Sequence, residues 1–170
     1  MGIKSFAVSS DGIEYPNHKY LRQSEKKLKR LQRQLSRKTK GSANWEKARI
    51  RVARLHEHIA NQRQDTQQKL STDIIRQNDI ICIEDLAPSN LVRNHKLAKS
   101  ISDAAWGEFC RQLTYKAGWY GKQLITVDRF YASSQTCSKC GTKWEGTKDL
   151  KVRRWTCPEC RTILDRDTNA

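Results

Sequence analysis

The sequence has no apolar run approaching the roughly 20 residues needed to cross a bilayer, which excludes a helical membrane protein. Its first residues, MGIKSFAVSSDG, are too polar for a secretory signal peptide, so a cytoplasmic location is expected. Thiols in that compartment stay reduced, and paired cysteines there favour metal over disulfide. No internal repeat or low-complexity tract is evident. Negative charge is scarce: 18 Asp and Glu stand against 33 Lys and Arg in 170 residues, a net charge of +15. Such a surplus does not choose a fold, but it points to a polyanionic partner. The length suffices for one domain with its own core, with or without a small appendage.

The surplus is concentrated. Residues 17–70 hold sixteen Lys and Arg and four acids, Glu25, Glu46, Glu57 and Asp65. From Tyr20 the pattern is helical, with Leu21, Leu28, Leu31 and Leu35 spaced as one apolar stripe requires. LSRKTKGSANW (35–45) interrupts it with Gly41, and Ser42 or Asn44 can cap a second helix. That helix has a stripe at Ala48, Val52, Leu55 and Ile59, fading through Thr66 to Leu70. Two narrow stripes and a short connection predict an antiparallel helical hairpin. Its other faces are densely cationic. A solvated helix surface usually mixes both signs, whereas here cations outnumber acids four to one. Contact with the phosphates of RNA or DNA is therefore expected at Lys26, Lys27, Arg30, Arg33, Arg37, Arg51 and Arg54.

Around this segment the pattern alternates between strand and helix. IKSFAVSS (3–10) and IEYP (13–16) read as strands joined by a turn at Asp11-Gly12. DIICIEDL (79–86) reads as a strand buried on both faces. Residues 100–121 read as one amphipathic helix with Ser102 as N-cap and Ala105, Phe109, Leu113 and Ala117 on one face. QLITVDRF (123–130) is a further strand. Cys82 and Cys110, isolated in apolar surroundings, are expected in the core.

The other four cysteines form two C-x-x-C knuckles, Cys137 with Cys140 and Cys157 with Cys160, sixteen residues apart. That is the spacing of a zinc ribbon, and four thiolates leave no open position for a reactive water. A structural zinc ion is expected here, with Trp144 and Trp155 packed between the knuckles.

Three acids stand at strand and chain ends. Glu84 closes the 79–86 strand and reads equally as a metal ligand or as an ordinary strand-end acid. Asp165 and Asp167 flank Arg166, which could also be a local salt-bridged turn. Asp85 and Asp128 are expected to cap or face solvent.

ICIEDL, the 100–121 segment, VDRFYASSQTCSKCG, CPEC and the ending LDRDTNA, taken together and in this order, resemble the TnpB (OrfB) family. Its members are transposon-associated, RNA-guided DNA nucleases. The resemblance implies an α/β, RNase H-like (RuvC-type) domain over 1–130, interrupted by the basic hairpin at 17–70. A zinc ribbon follows at 131–163 and the last acidic motif at 164–170. It implies two-metal hydrolysis of DNA with Mg2+ or Mn2+, Glu84 as the second catalytic acid and Asp167, less so Asp165, as the third. DNA and a guide RNA are the implied partners.

Departures from the family pattern sharpen these expectations. Gly2 and Lys4 match the end of the family's D-x-G-x-K pattern, but Met1 stands just after the place of its Asp. The first catalytic Asp and its strand are thus expected to be missing, as are the family's N-terminal region and, beyond Ala170, its final helix. The sheet then lacks a central strand, which a second polypeptide could supply, and this chain alone is expected not to cut DNA. A non-catalytic RNA- or DNA-binding protein is the alternative.

Overall fold

A computed structural model describes every residue except Arg129, Leu150 and Ala170, and every side chain among these except that of Pro88. In chain order the elements are β1 (Ser5–Val8), β2 (Glu14–Pro16), α1 (Tyr20–Ser36), α2 (Ala43–Gln77), β3 (Ile80–Glu84), α3 (Pro88–Leu91), α4 (Ala98–Ala104) and α5 (Trp106–Tyr120). Then come β4 (Gln123–Val127), β5 (Arg154–Thr156), β6 (Ile163–Asp165) and α6 (Arg166–Asn169). Among the described residues the strands pair two by two, β1 with β2, β3 with β4 and β5 with β6. The chain divides into two compact units, Met1–Asn17 with Thr126–Ala170, and His18–Ile125. No helix among the described residues is long and apolar enough to cross a membrane.

The His18–Ile125 unit is built on the hairpin. Ser42 caps α2, its hydroxyl accepting the Trp45 amide at 3.1 Å, as the sequence led one to expect. Leu28, Leu55 and Ile59 form a buried cluster flanked by Tyr20, Leu21, Leu31 and Val52. The Tyr20 hydroxyl meets Thr66 far along α2, so the two helices run antiparallel. However, α2 does not stop near Leu70 but continues unbroken to Gln77. Its later buried positions, Gln67, Ser71 and Ile75, pack toward α5 and are mostly polar. Most of their polar groups are satisfied there, although the buried Gln67 Oε1 has no hydrogen-bond partner among the described residues. Ser71 meets Gln112, and the Lys116 ammonium donates to the Gln68 carbonyl and to the Ser71 and Thr72 hydroxyls at 2.7–2.8 Å. Burial pushes the Lys116 pKa down.

The single helix expected over 100–121 is two helices, and this is a correction. Ala105 adopts a left-handed conformation, φ 52°, between α4 and α5. Ser102 lies inside α4 and is not an N-cap. The break survives because Gln67 reaches across from α2, its amide nitrogen donating to the Ala104 and Ala105 carbonyls at 2.8 and 3.2 Å. Two residues before Ala105, buried Asp103 accepts the Leu21 amide at 3.1 Å and pairs with Arg63 at 2.8 Å. The residue preceding α1, Lys19, offers no side-chain cap, so a carboxylate 82 positions away caps α1 instead.

The strand β3 is also corrected. It is not covered on both faces: Ile81 is 8% exposed but Ile80 is 59% exposed, and Cys82 points outward. With period-two alternation, a strand paired only to β4 and packed on one side must show its other face. Cys110 is half-buried rather than fully buried, and burial raises its thiol pKa.

In the other unit, β1 and β2 form an antiparallel hairpin with a bulge between Ser5 and Ala7. Gly12, at φ +79°, supplies its turn. β4 ends at Val127, short of the expected 130. There the Asp128 carboxylate accepts the Phe130 amide at 2.7 Å, the capping role anticipated for it, and Arg129 lies outside the described residues. Asp85, in the His18–Ile125 unit, has the same local role, accepting the Ala87 amide at 3.2 Å.

Candidate metal centre and basic helical face

The two knuckles are copies of one local structure. In each, the first cysteine's amide donates two residues past the second cysteine, Cys137 to the Thr142 carbonyl and Cys157 to the Thr162 carbonyl, both at 2.9 Å. Its own carbonyl accepts the amide after the second cysteine, from Gly141 and Arg161 at 2.9 and 3.0 Å. Those two residues have left-handed backbones, φ +77° and +56°. The sequence therefore does contain a short repeat, C-x-x-C-x-T at 137–142 and 157–162, which correlates with this geometry.

The repeat converges four sulfur atoms. Cys137 and Cys160 Sγ are 3.6 Å apart, Cys140 and Cys157 Sγ are 3.5 Å apart, and all four lie within 4.8 Å of one another. A metal–sulfur bond of 2.3 Å in tetrahedral geometry requires sulfurs about 3.8 Å apart. The quartet could thus hold a metal ion such as zinc with little movement. Two ligands are buried and two exposed. Each exposed sulfur has a threonine hydroxyl at 3.3 Å, Thr142 for Cys140 and Thr162 for Cys160. Those contacts lower both thiol pKa values, that of Cys140 to about 6, toward the thiolate a metal requires. Burial, by contrast, pushes the Cys157 thiol up to about 11. The threonines were missed in the cysteine spacing alone; the repeat was the signal for them.

Behind the sulfurs, Cys137, Cys157, Trp155 and Leu164 make a small buried cluster with Trp144 and Val152 against it. Trp144 and Trp155 stack with centroids 5.3 Å apart, as expected. Gly146 makes room for this, since a Cβ there would run into the Trp144 ring.

The acids separate into two roles. Asp165, ending β6, accepts the Asp167 and Thr168 amides at 3.0 and 3.3 Å and so starts α6. Asp167 points outward, both oxygens 3.2 Å from Arg153 Nη1. Glu84 is half-buried at the end of β3. Glu84 and Asp167 fall in different compact units. Among the described residues, the four cysteines are the only group of three or more His, Cys, Asp or Glu side chains whose ligand atoms converge.

The seven cations singled out on the hairpin are all exposed. At 100° per residue, Lys26, Arg30, Arg33 and Arg37 share one face of α1, opposite the Leu21–Leu28–Leu35 stripe that faces α2. Among the described residues none of the seven is ion-paired. Three of the four acids in this segment are engaged elsewhere, Glu25 with Lys29 and Lys99, Glu46 with Arg49, and Asp65 with Lys69, while Glu57 makes no ion pair among the described residues. The geometry leaves a row of unneutralised charge.

These features define an α/β protein carrying a four-thiol ribbon and a cationic helical hairpin. The chain belongs to the OrfB_IS605 family, described as probable transposase, whose model matches residues 1–95. A second model, the Cas12f1-like TNB domain, matches residues 106–170. A putative RNA-guided DNA endonuclease of Streptomyces pristinaespiralis is 47% identical over 169 residues, covering 99% of this chain and 42% of that protein. The putative RNA-guided DNA endonuclease InsQ of Escherichia coli K12 is 36% identical, covering 99% of this chain and 45% of InsQ. The chain thus spans less than half the length of these curated relatives. Its fold resembles a chain in the cryo-EM structure of the Cas12f1–sgRNA–target DNA complex, with a TM-score of 0.57, 19% identity, and coverage of 92% of this chain and 41% of that one.

Proposed function

We propose that this chain is the RuvC-type portion of an RNA-guided DNA endonuclease. The observation that carries the reading is the span of the family matches. One covers the basic hairpin and Glu84, and the other covers the cysteines and Asp167. In this reading residues 1–130 belong to an RNase H-like domain, with the hairpin at 17–70 as its insertion. Residues 131–163 are a zinc ribbon beside the path of the nucleic acid, and 164–170 return to the catalytic domain.

Glu84 and Asp167 supply hard oxygen donors of the kind that hold Mg2+ or Mn2+, ions that activate water and stabilise the phosphorane-like charge when bound. Asp165 is already committed to two backbone amides, which favours Asp167 as the ligand. Only an exposed guanidinium holds Asp167, and a divalent ion can displace it. The check is a Mn2+ titration of the 15N-labelled chain. Amide signals around Glu84 and Asp167 are expected to broaden first, and to be spared in Glu84→Gln and Asp167→Asn respectively. Broadening that ignores both substitutions sinks the assignment.

The hairpin grips phosphates with its unpaired cations. If all seven engage single-stranded RNA, log K against log salt should fall with a slope of about −5, since each neutralised phosphate contributes about −0.7. Changing Arg30 and Arg33 to Gln is expected to flatten that slope by about one to two. A slope near zero, or one unchanged by the substitutions, would remove the hairpin from the interface.

A further inference from the structure

The motif that ends the described chain contains one residue that neither metal chemistry nor phosphate contact uses. Asn169, at the close of α6, is half-buried and makes three hydrogen bonds in the same unit. Its Oδ1 accepts the Ser138 amide at 2.9 Å. Its Nδ2 donates to the Thr136 carbonyl at 2.7 Å and the Ser133 carbonyl at 3.5 Å. Thr136 and Ser138 flank Cys137, the buried sulfur ligand of the first knuckle. The side-chain amide therefore clamps the backbone on both sides of a metal ligand. Its orientation is fixed, because a flipped amide would set a donor against the Ser138 N–H and an acceptor against two carbonyls.

The acidic helix needs such an anchor. A four-residue helix is a single turn, too short to hold itself. Of the other contacts on α6, the Arg153–Asp167 pair is more than half exposed on both sides and correspondingly weak. The Asp165 cap is local, joining residues two and three apart, and ties α6 only to its own preceding strand. Arg166 anchors the start of the turn, its amide donating to the Arg153 carbonyl at 2.7 Å and its guanidinium to the Asp149 carbonyl at 3.1 Å. Asn169 holds the other end, and among these contacts it is the one that reaches the Cys137–Cys140 knuckle, 31 positions back. The sulfur of the clamped Cys137, in turn, stands 3.6 Å from Cys160 Sγ, within the quartet that could share one ion.

We propose that Asn169 is a positioning residue that couples the Cys137–Cys140 knuckle to the carboxylate of Asp167, so that a filled metal site orders α6. The role given to Asp167 rests on the nuclease reading above; the coupling itself does not. When the ion binds, Thr136 and Ser138 are held at the separation the Asn169 amide spans. Asp167, two residues before that amide on the same turn, is then fixed in direction.

The test uses the full chain, 15N-labelled and loaded with Zn2+, or with Co2+ to read the thiolate site by its visible spectrum. In the wild type the Asp167 and Thr168 amides should be rigid, with order parameters near 0.85, and Asn169→Ala should drop them below about 0.6. The Co2+ thiolate spectrum should stay unchanged in that variant, and the metal affinity should stay within about threefold. A general packing role would move both readouts together, so loss of the spectrum alongside the order overturns the proposal. Unchanged order in Asn169→Ala overturns it as well. Asn169→Asp keeps the acceptor for Ser138 but turns oxygen toward the Thr136 and Ser133 carbonyls, and should be as mobile as Asn169→Ala. Wild-type rigidity there would refute the two-sided clamp. Arg153→Gln should leave α6 rigid, and a fall equal to that of Asn169→Ala would assign the hold to the ion pair instead. None of these readouts involves DNA or a divalent ion at Asp167. A failed Mn2+ titration therefore removes the nuclease reading without touching the coupling, and mobile wild-type α6 does the reverse.

Discussion

Removing the metal from the four thiols, by chelation or by Cys157→Ser, is expected to unfold the ribbon while the helical unit keeps its structure. The reason lies in what else holds the ribbon. Its buried cluster is Cys137, Trp155, Cys157 and Leu164, with Trp144 and Val152 partly covered. Two of those four buried residues are themselves members of the converging thiol quartet. Its paired strands, β5 and β6, are three residues each. So little buried apolar surface cannot offset the ordering of more than thirty residues. A structural zinc ion contributes on the order of 10 kcal/mol or more, which exceeds every other term in this segment. The Trp144–Trp155 stack gives a direct reporter. Near-ultraviolet dichroism from the stacked indoles should vanish on chelation and return with Zn2+, while the far-ultraviolet helical signal from α1, α2 and α5 changes little. Retention of the indole signal after complete metal removal would show that packing alone sustains the ribbon.

Replacing Asp103 with Ala should be a severe change in the helical unit, costing about 3 kcal/mol. The carboxylate is buried and serves two partners, the Leu21 amide at the start of α1 and the Arg63 guanidinium from α2. Breaking a buried ion pair by deleting one partner strands the other, at about 3–5 kcal/mol when both are fully buried. Arg63 is 24% exposed at its side chain, which places the expected value at the low end. Asp103 also faces the positive end of the α1 dipole, which its removal leaves without a counter-charge. Urea denaturation followed at 222 nm measures the loss. A double-mutant cycle with Arg63→Met separates the pair from the cap, since the double variant should be less unstable than the two singles summed. A loss below about 0.5 kcal/mol for Asp103→Ala would mean that solvent replaces both partners freely.

Asp103 also illustrates what the sequence could and could not reveal. The hairpin was readable because its first half is held by leucine and isoleucine at helical spacing, Leu28, Leu55 and Ile59, and because Ser42 sits where a cap must. The second half of α2 was not, since its buried face is Gln67 and Ser71, residues that periodicity counts as solvent-facing. Those polar positions exist to serve α5 and the break at Ala105, and nothing local announces that break. A glycine there would have; an alanine held left-handed by a glutamine 38 positions away does not. The run ICIE in β3 could not disclose that one of its faces stays open, because continuous apolar character says only that both faces tolerate burial. The convergence of the four cysteines was readable in their spacing. The site's threonines stood in the C-x-x-C-x-T repeat, whereas the glycine under Trp144 and the reach of Asn169 depend on folded geometry. For the acids, sequence supplied Glu84 and the Asp165–Asp167 pair. The structure assigned Asp165 to the start of α6.

The two knuckles match in hydrogen bonding but not in ease of formation. The left-handed position after the second cysteine is glycine in one and arginine in the other, Gly141 and Arg161. A side chain in that conformation costs about 1–2 kcal/mol, which glycine escapes. The first knuckle thus closes at a lower backbone cost than the second. Four cysteine thiols therefore sit on two unequal backbones, with the conformational cost concentrated on the Cys157–Cys160 side.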